Sequence, residues 1–446
     1  MSPRSPSIND VKGALVVVTY NLEVTSIGPP ISGSLLGGEY LGWTGLPGFS
    51  AQADAMSIGH VRWPGGINAE DRIEDAGYAY DLATSNVVDN WPTWNGAPRP
   101  GLTEMFSYAN AEQMSLAIIL PTARYVEMAQ TDLDAARAWM QSDIHTFLAN
   151  LANGQFGAPP PLTIEVGAEY YSTDIWEDTG GDPIIRDLFG EIFAHAVGLL
   201  AEGEDTYGEM YDVAVQMGRF HNADDPEDGP RNGEAGDSTA FLEAYTDAGV
   251  LGDIDGVIWH RYTQTFDQVE HAFRSPIHPD NAMSTLLEDH LDYWQVATGQ
   301  PLDLILSWAA PDVDSSGGTD TSDYDFGPRS AHNILQMFSE IAASPVDVAT
   351  IYGIDSQWPG ALSFGSPQDP DIYFGGMVYG LLAESVVGLS VTNSFLSNTL
   401  PTDANNEVIV ADHVNYFGFS GEDRFVLFAA AGDLPSNQLT VNLDLP

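Results

Sequence analysis

Leu162-Thr163-Ile164-Glu165-Val166-Gly167-Ala168-Glu169 is an apolar run that breaks at a glycine and delivers a carboxylate at its end. In an extended strand side chains alternate faces, so Glu165, Gly167 and Glu169 share one side, and that side cannot be an ordinary apolar core. Two acids there could be a charged pair at a strand end, or a proton donor with its electrostatic partner. Arg62-Trp63-Pro64-Gly65-Gly66, Trp259-His260-Arg261-Tyr262, Ser307-Trp308 and Asp355-Ser356-Gln357-Trp358 add an arginine, a histidine, a tyrosine and several tryptophans, each at the end of a short apolar run. Flat aromatic faces stack on the apolar faces of sugar rings, and polar groups between them bind hydroxyls. The inventory points to carbohydrate.

These residues need a frame that brings them together. Strands are expected at Leu36–Leu41, His60–Trp63, Ser115–Leu120, Leu162–Val166, Asp212–Met217, Gly256–Trp259, Leu302–Leu306 and Val348–Ile351. Helical periodicity fills the gaps: Leu133, Ala136, Met140, Ile144, Phe147, Leu148 and Leu151 form one stripe, and Asp182-Pro183 reads as an N-cap and first-turn proline. Further helices are expected over Ser284–Thr298 and Ser330–Ala342. Eight strands alternating with helices predict a (β/α)₈ TIM barrel over residues 31–358, with its functional groups at the C-terminal strand ends. From Pro359 to Pro446 strand follows strand, which predicts a small antiparallel β-sandwich domain. The leading strand near Val16, within residues 1–30, is expected to join it.

Composition narrows the partners. The 446 residues carry 64 Asp and Glu against 14 Lys and Arg, a formal net charge of −50, which argues against nucleic acid and an anionic membrane surface. A dense anionic surface suits high salt, where it is screened. With no cysteine, disulfides, thiolate metal sites and a cysteine nucleophile are excluded. No apolar run is long enough to span a bilayer, and Met1-Ser2-Pro3-Arg4-Ser5-Pro6 lacks the features of a signal peptide. An acidic, cysteine-free chain of this kind is expected outside the cell or on its surface.

The motifs resemble the large clan of retaining glycosidases built on the (β/α)₈ barrel, in particular its heparanase-like, β-xylosidase-like and arabinofuranosidase-like members with an appended β-sandwich. A strand-two motif R-W/F-P-G-G matches Arg62 to Gly66, and W-E-I-G-N-E on strand four matches Ile164 to Glu169. The resemblance implies hydrolysis of an oligosaccharide or polysaccharide with Glu169 as general acid/base. It implies sugar-binding or site-shaping roles for Glu39, Arg62, Trp63, Glu165, His260, Tyr262, Ser307, Trp308, Asp355 and Trp358. Two positions depart from the pattern: Ala168 stands where the clan has asparagine, and Ser307 where it has the strand-seven glutamate nucleophile.

Retaining hydrolysis needs two carboxylates about 5–5.5 Å apart, and serine cannot take the nucleophile's place without a base. Asp312, Asp314 and Asp355 are the loop acids that could supply the second carboxylate, though in so acidic a chain solvated loop acids are the plainer reading. The alternative function is a glycosidase-like barrel that binds carbohydrate without catalysis. The reaction requires no cofactor. Oxygen-bearing residues from Asp312 to Asp323 follow the spacing of a calcium loop, with Asp323 in place of the usual glutamate, so a structural calcium ion could bind there; a flexible acidic loop is the plainer reading.

Overall fold

A computed structural model describes residues 18–23, 26–42, 44–70, 72–73, 77–78, 80–81, 86–87, 98–218, 236–262, 283–309, 328–354, 362–366, 369–392, 414–431 and 439–444. The chain forms two compact units, Ile31–Val387 and the pair of segments Met1–Pro30 and Gly388–Pro446.

The larger unit is a closed barrel of eight parallel strands. In chain order these are β1 (Gly37–Glu39), β2 (His60–Trp63), β3 (Ser115–Leu120), β4 (Leu162–Val166), β5 (Asp212–Gln216), β6 (Gly256–Tyr262), β7 (Asp303–Ala309) and β8 (Val348–Ile351). Each strand pairs with its successor, and β8 returns to β1 through Thr350 opposite Gly37 and Ile351 opposite Gly38. A helix follows each strand: α1 (Leu46–Ala55), α2 (Leu102–Glu112), α3 (Leu133–Ala152), α4 (Pro183–Tyr207), α5 (Gly236–Ala248), α6 (Met283–Thr298), α7 (Pro328–Ala342) and α8 (Phe374–Ser385). The protein is a TIM barrel with an additional β unit.

Local chemistry explains the helices. The Asp132 side chain accepts from Ala135 N at 3.0 Å to cap α3, whose buried stripe is Ala136, Met140, Ile144, Phe147, Leu148 and Leu151. Asp182 caps α4 by accepting from Ile184 N at 2.8 Å, with Pro183 in the first turn. Helix α4 buries Phe189, Ile192, Phe193, Ala196, Val197 and Leu200, and runs to Tyr207. The sequence reading puts residues 359–387 with the β domain; in the structure the larger unit runs to Val387. Those residues carry α8, whose Tyr379 hydroxyl donates to Gly37 O on β1 at 2.7 Å and whose ring packs 6.3 Å from Trp308 on β7.

In the smaller unit, Ser26–Ile27, Ser390–Thr392, Val414–Ser420 and Phe425–Ala431 make a four-stranded antiparallel sheet. Val18–Glu23 pairs in parallel with Leu439–Asp444, so the first strand meets the last.

Strand alternation decides what fills the barrel. Ala214, Ile258 and Ile305 pack together as an apolar layer against Val348. Two residues further along each of those strands stand Gln216, His260, Ser307 and Thr350, all buried. With Glu39, Arg62 and Glu165 they make a polar layer directly above the apolar one, at the strands' C-terminal ends.

Candidate active site

The polar layer is organised around Arg62, fully buried on β2. Its Nε donates to Glu165 Oε2 at 2.7 Å, and its Nη1 to Glu39 Oε1 at 3.4 Å. Its Nη2 lies 3.4 Å from His260 Nε2. A buried guanidinium needs compensating charge, and two carboxylates of the chain provide it. The third contact fixes a tautomer: a nitrogen facing the Arg62 donor must accept, so His260 carries its proton on Nδ1. That Nδ1 lies 2.7 Å from Glu169 Oε1 and donates to it.

Glu169 occupies the turn after β4, and the turn is built for it. Gly167 has φ of +78°, and an added Cβ there would meet the Phe193 ring at 2.7 Å, so only glycine fits. Glu169 itself sits at φ of +45°, a conformation that costs a side-chain-bearing residue about 1–3 kcal/mol and persists where its surroundings impose it. Three contacts impose it here. Glu169 N donates to Gln216 Oε1 at 3.3 Å, and Ala168 N to Glu70 Oε1 at 3.3 Å. The Tyr170 hydroxyl donates to Asp237 Oδ2 at 2.6 Å, while its ring packs 5.1 Å from Trp176 and 5.0 Å from Phe241.

Glu70 is buried and serves as a hub. Besides Ala168 N, it accepts from Thr122 N at 3.0 and 2.7 Å on its two oxygens, from the Thr122 hydroxyl at 2.9 Å and from Ala123 N at 2.7 Å. It thereby ties the exit of β3 to the exit of β4. Burial raises its pKa, while the bonds from Ala123 and Thr122 pull in the opposite direction.

Glu39, the last residue of β1, is the other buried carboxylate of note. Its Oε1 accepts from Arg62, from the Ser307 hydroxyl in a short hydrogen bond, and from Thr350 Oγ1 at 3.3 Å. Its Oε2 is buried without a hydrogen-bond partner. Burial raises the pKa of Glu39, and the Arg62 charge and the Ser307 hydrogen bond oppose the rise. Gly65 permits this approach: an added Cβ would stand 3.0 Å from Glu39 Cβ and 2.8 Å from Tyr40 O. The P-G-G turn therefore lies close against the end of β1. His60, one pleat below Arg62, is kept neutral with a pKa lowered to about 3, by burial first and by the Arg62 charge second.

The structure thus brings Glu39, Arg62, Glu165, Glu169, His260 and Ser307 into one cluster. It treats two expected sugar platforms differently. Trp63 and Trp308 are fully buried and offer no ring face to solvent, because alternation turns them away from the inward-facing Arg62 and Ser307. Tyr262 ends β6, but its side chain lies outside the described residues, as do Asp355, Trp358, Asp312, Asp314 and the rest of the Asp312–Asp323 loop. Among the described residues no group of three His, Asp or Glu could hold a metal ion, and no helix is long and apolar enough to cross a membrane.

Gln216, Thr350 and Glu70 were not singled out from sequence. A polar residue closing an apolar strand (Val213-Ala214-Val215-Gln216, Val348-Ala349-Thr350) is the signal for the first two; Glu70 lies on a loop whose sequence carries none.

No family model matches the chain, and no curated protein matches its sequence. Solved structures do match in fold. The GH51 arabinofuranosidase from Xanthomonas axonopodis pv. citri superposes with a TM-score of 0.56 at 14% identity, over 96% of this chain and 88% of that one. A family 51 α-L-arabinofuranosidase from Bifidobacterium longum gives 0.54 at 14% identity over 95% and 88%. The α-L-arabinofuranosidase from Thermotoga maritima, in complex with arabinose, gives 0.54 at 13% identity over 95% and 87%. At these identities the likeness is one of fold, and the chain shares that fold over nearly its whole length.

Proposed function

We propose that the barrel hydrolyses a glycosidic bond in an oligosaccharide or polysaccharide, with Glu169 as general acid/base. The observation that supports this best is the line of contacts from Glu169 through His260 and Arg62 to Glu39 and Glu165, at the barrel end where (β/α)₈ enzymes do their chemistry. The His260 Nδ1–H donates to Glu169 Oε1 across 2.7 Å and orients the carboxyl group. Glu169 in its protonated form delivers its own carboxyl proton to the leaving oxygen as the glycosidic bond breaks; the resulting carboxylate then takes a proton from the incoming water. Arg62 supplies positive charge that keeps the neighbouring carboxylates from repelling one another. Tyr262, Asp355 and Trp358 are assigned to sugar binding, and the surface charge suits work outside the cell or on its surface.

Ser307 and Ala168 favour a second reading, a barrel that binds carbohydrate without cleaving it, since both depart from the glycosidase pattern. Reducing-sugar release from neutral and acidic polysaccharides, with arabinose-containing ones first, decides between them. Glu169→Gln is expected to lower turnover by about 10²–10⁴-fold while sugar binding persists. Binding without turnover in the wild type, with activity appearing in Ser307→Glu, would establish the second reading.

A further inference from the structure

Besides Glu169, four buried carboxylates stand at the C-terminal end of the barrel among the described residues: Asp237, engaged by the Tyr170 hydroxyl, and Glu70, Glu165 and Glu39. They differ in what their oxygens have left to do and in whether they stand at a strand's end. Both oxygens of Glu70 are taken up by Thr122 and Ala123 donors. Glu165 holds Arg62 Nε on Oε2 at 2.7 Å and its Oε1 is likewise buried without a partner, but it lies within β4, one residue short of the strand's end. Glu39 closes β1, where the strand opens to the rim. Its donors converge on Oε1, from Ser307 on β7, Thr350 on β8 and Arg62 on β2, which fixes the carboxylate plane and leaves the Oε2 lone pairs unused. A buried acceptor without a donor is rare in a folded protein and calls for a functional account.

Resting on the glycosidase reading above, we infer that Glu39 is the second catalytic carboxylate, its Oε2 acting as nucleophile, while Ser307 and Thr350 are positioning residues that hold Oε1. The electron pair of Oε2 forms a bond to the anomeric carbon as that carbon's bond to the leaving oxygen breaks. The leaving oxygen takes the proton of Glu169, and a glycosyl ester of Glu39 remains. Glu169, now a carboxylate, removes a proton from water; the water oxygen attacks the same carbon and releases Glu39 as a carboxylate. Two displacements on one carbon give net retention. The short Ser307 side chain suits this arrangement, because its hydroxyl donates to the Glu39 carboxylate.

The test uses the full chain and a panel of 4-nitrophenyl glycosides that includes the α-L-arabinofuranoside and β-D-xyloside, comparing wild type, Glu39→Ala, Glu39→Gln, Glu165→Gln and Glu169→Ala with and without sodium azide. Glu39→Ala is expected to lose at least about a thousandfold in kcat/KM. Azide should restore it and yield a glycosyl azide of opposite anomeric configuration, whereas Glu169→Ala should yield one of retained configuration. Near-isosteric Glu39→Gln, checked by its melting temperature, separates lost chemistry from lost fold. Azide rescue also reports a folded site. A Glu39→Ala variant that keeps more than a tenth of wild-type activity, or a wild type that inverts its substrate, would overturn the assignment and leave Glu169 standing. A wild type silent on every glycoside would overturn the glycosidase reading itself.

Discussion

The two ends of the barrel both concentrate acids, and they handle them in opposite ways. At the C-terminal end Glu39 and Glu165 are buried against one arginine, and Glu169 against a histidine, with the Ser307 and Thr350 hydroxyls donating to Glu39. At the N-terminal end Asp212 opens β5, Asp255 precedes β6, Asp303 opens β7 and Asp347 precedes β8, joined by Asp253 and by Glu204 from α4. Some of these have structural work: Asp255 accepts from Val213 N at 2.8 Å and Asp347 from Leu304 N at 2.9 Å, tying adjacent strands. Yet the neighbouring charges that act on Glu204, Asp212, Asp253 and Asp303 are themselves carboxylates, adding to burial in raising their pKa values. One end sets its acids against an arginine and a histidine of the chain; at the other, the charges acting on these acids are further acids. Charge in a protein of net −50 is therefore not one property.

That contrast can be broken from the top. Arg62→Met removes the guanidinium shared by two buried carboxylates, and breaking a buried pair costs about 3–5 kcal/mol. Chemical denaturation should show that loss, and its dependence on salt should be weak. Glu70→Ala comes next, because Thr122 N, Ala123 N and Ala168 N lose a shared acceptor at buried positions. Each stranded donor costs about 1–3 kcal/mol before relaxation. Activity should fall further than the stability loss accounts for, since the Glu169 turn loses one of its anchors.

A gentler perturbation sharpens the role of Ser307. Ser307→Ala removes a hydrogen bond that lowers the Glu39 pKa, so that pKa rises further above its ordinary 4.5. A nucleophile must be ionised; the acid limb of kcat/KM is expected to move to higher pH, with Arg62, His260 and Glu169 as the other charged or titratable groups facing Glu39. An unmoved limb would separate Ser307 from the chemistry.

The smallest effects belong to the N-terminal end. Carboxylates with raised folded-state pKa values bind protons more tightly folded than unfolded, so stability is greatest below the unfolded values and falls as pH rises through the folded ones. Melting temperatures are expected to decline from about pH 4.5 upward at low salt and to recover in molar salt, where the Debye length is about 3 Å. Asp212→Asn should raise the low-salt melting temperature by about 1 °C, and the gain should vanish in high salt. A gain that persists there would mean that repulsion was not what it relieved.

The barrel was legible because its signals are local. Apolar runs such as Ser115–Leu120 and capping pairs such as Asp182-Pro183 declare their elements within a few residues. The site was legible only where a side chain stands at the tip of such a run, as Glu169, Arg62 and His260 do. Glu39 could be placed at a strand tip but not given a partner, because its contact with Ser307 spans 268 positions and exists only once β8 has closed on β1. Along the chain the nearest acids to strands seven and eight are the loop residues Asp312, Asp314 and Asp355, which lie outside the described residues; barrel closure sets a carboxylate from strand one against Ser307 and Thr350 on those two strands. Trp308 shows the converse: it reads as a rim tryptophan beside Ser307, yet alternation sends it toward α8 and Tyr379.

Mass spectrometry of the protein incubated with a 2-deoxy-2-fluoro glycosyl fluoride, of the sugar whose nitrophenyl glycoside it cleaves best, tests the central claim most directly. The fluorine slows breakdown of a covalent intermediate more than it slows the release of fluoride, so the intermediate accumulates. The account predicts one added glycosyl unit, carried by the peptide that contains Glu39 and absent from Glu39→Gln. An adduct on any other carboxylate, or active protein that never acquires one, would contradict it.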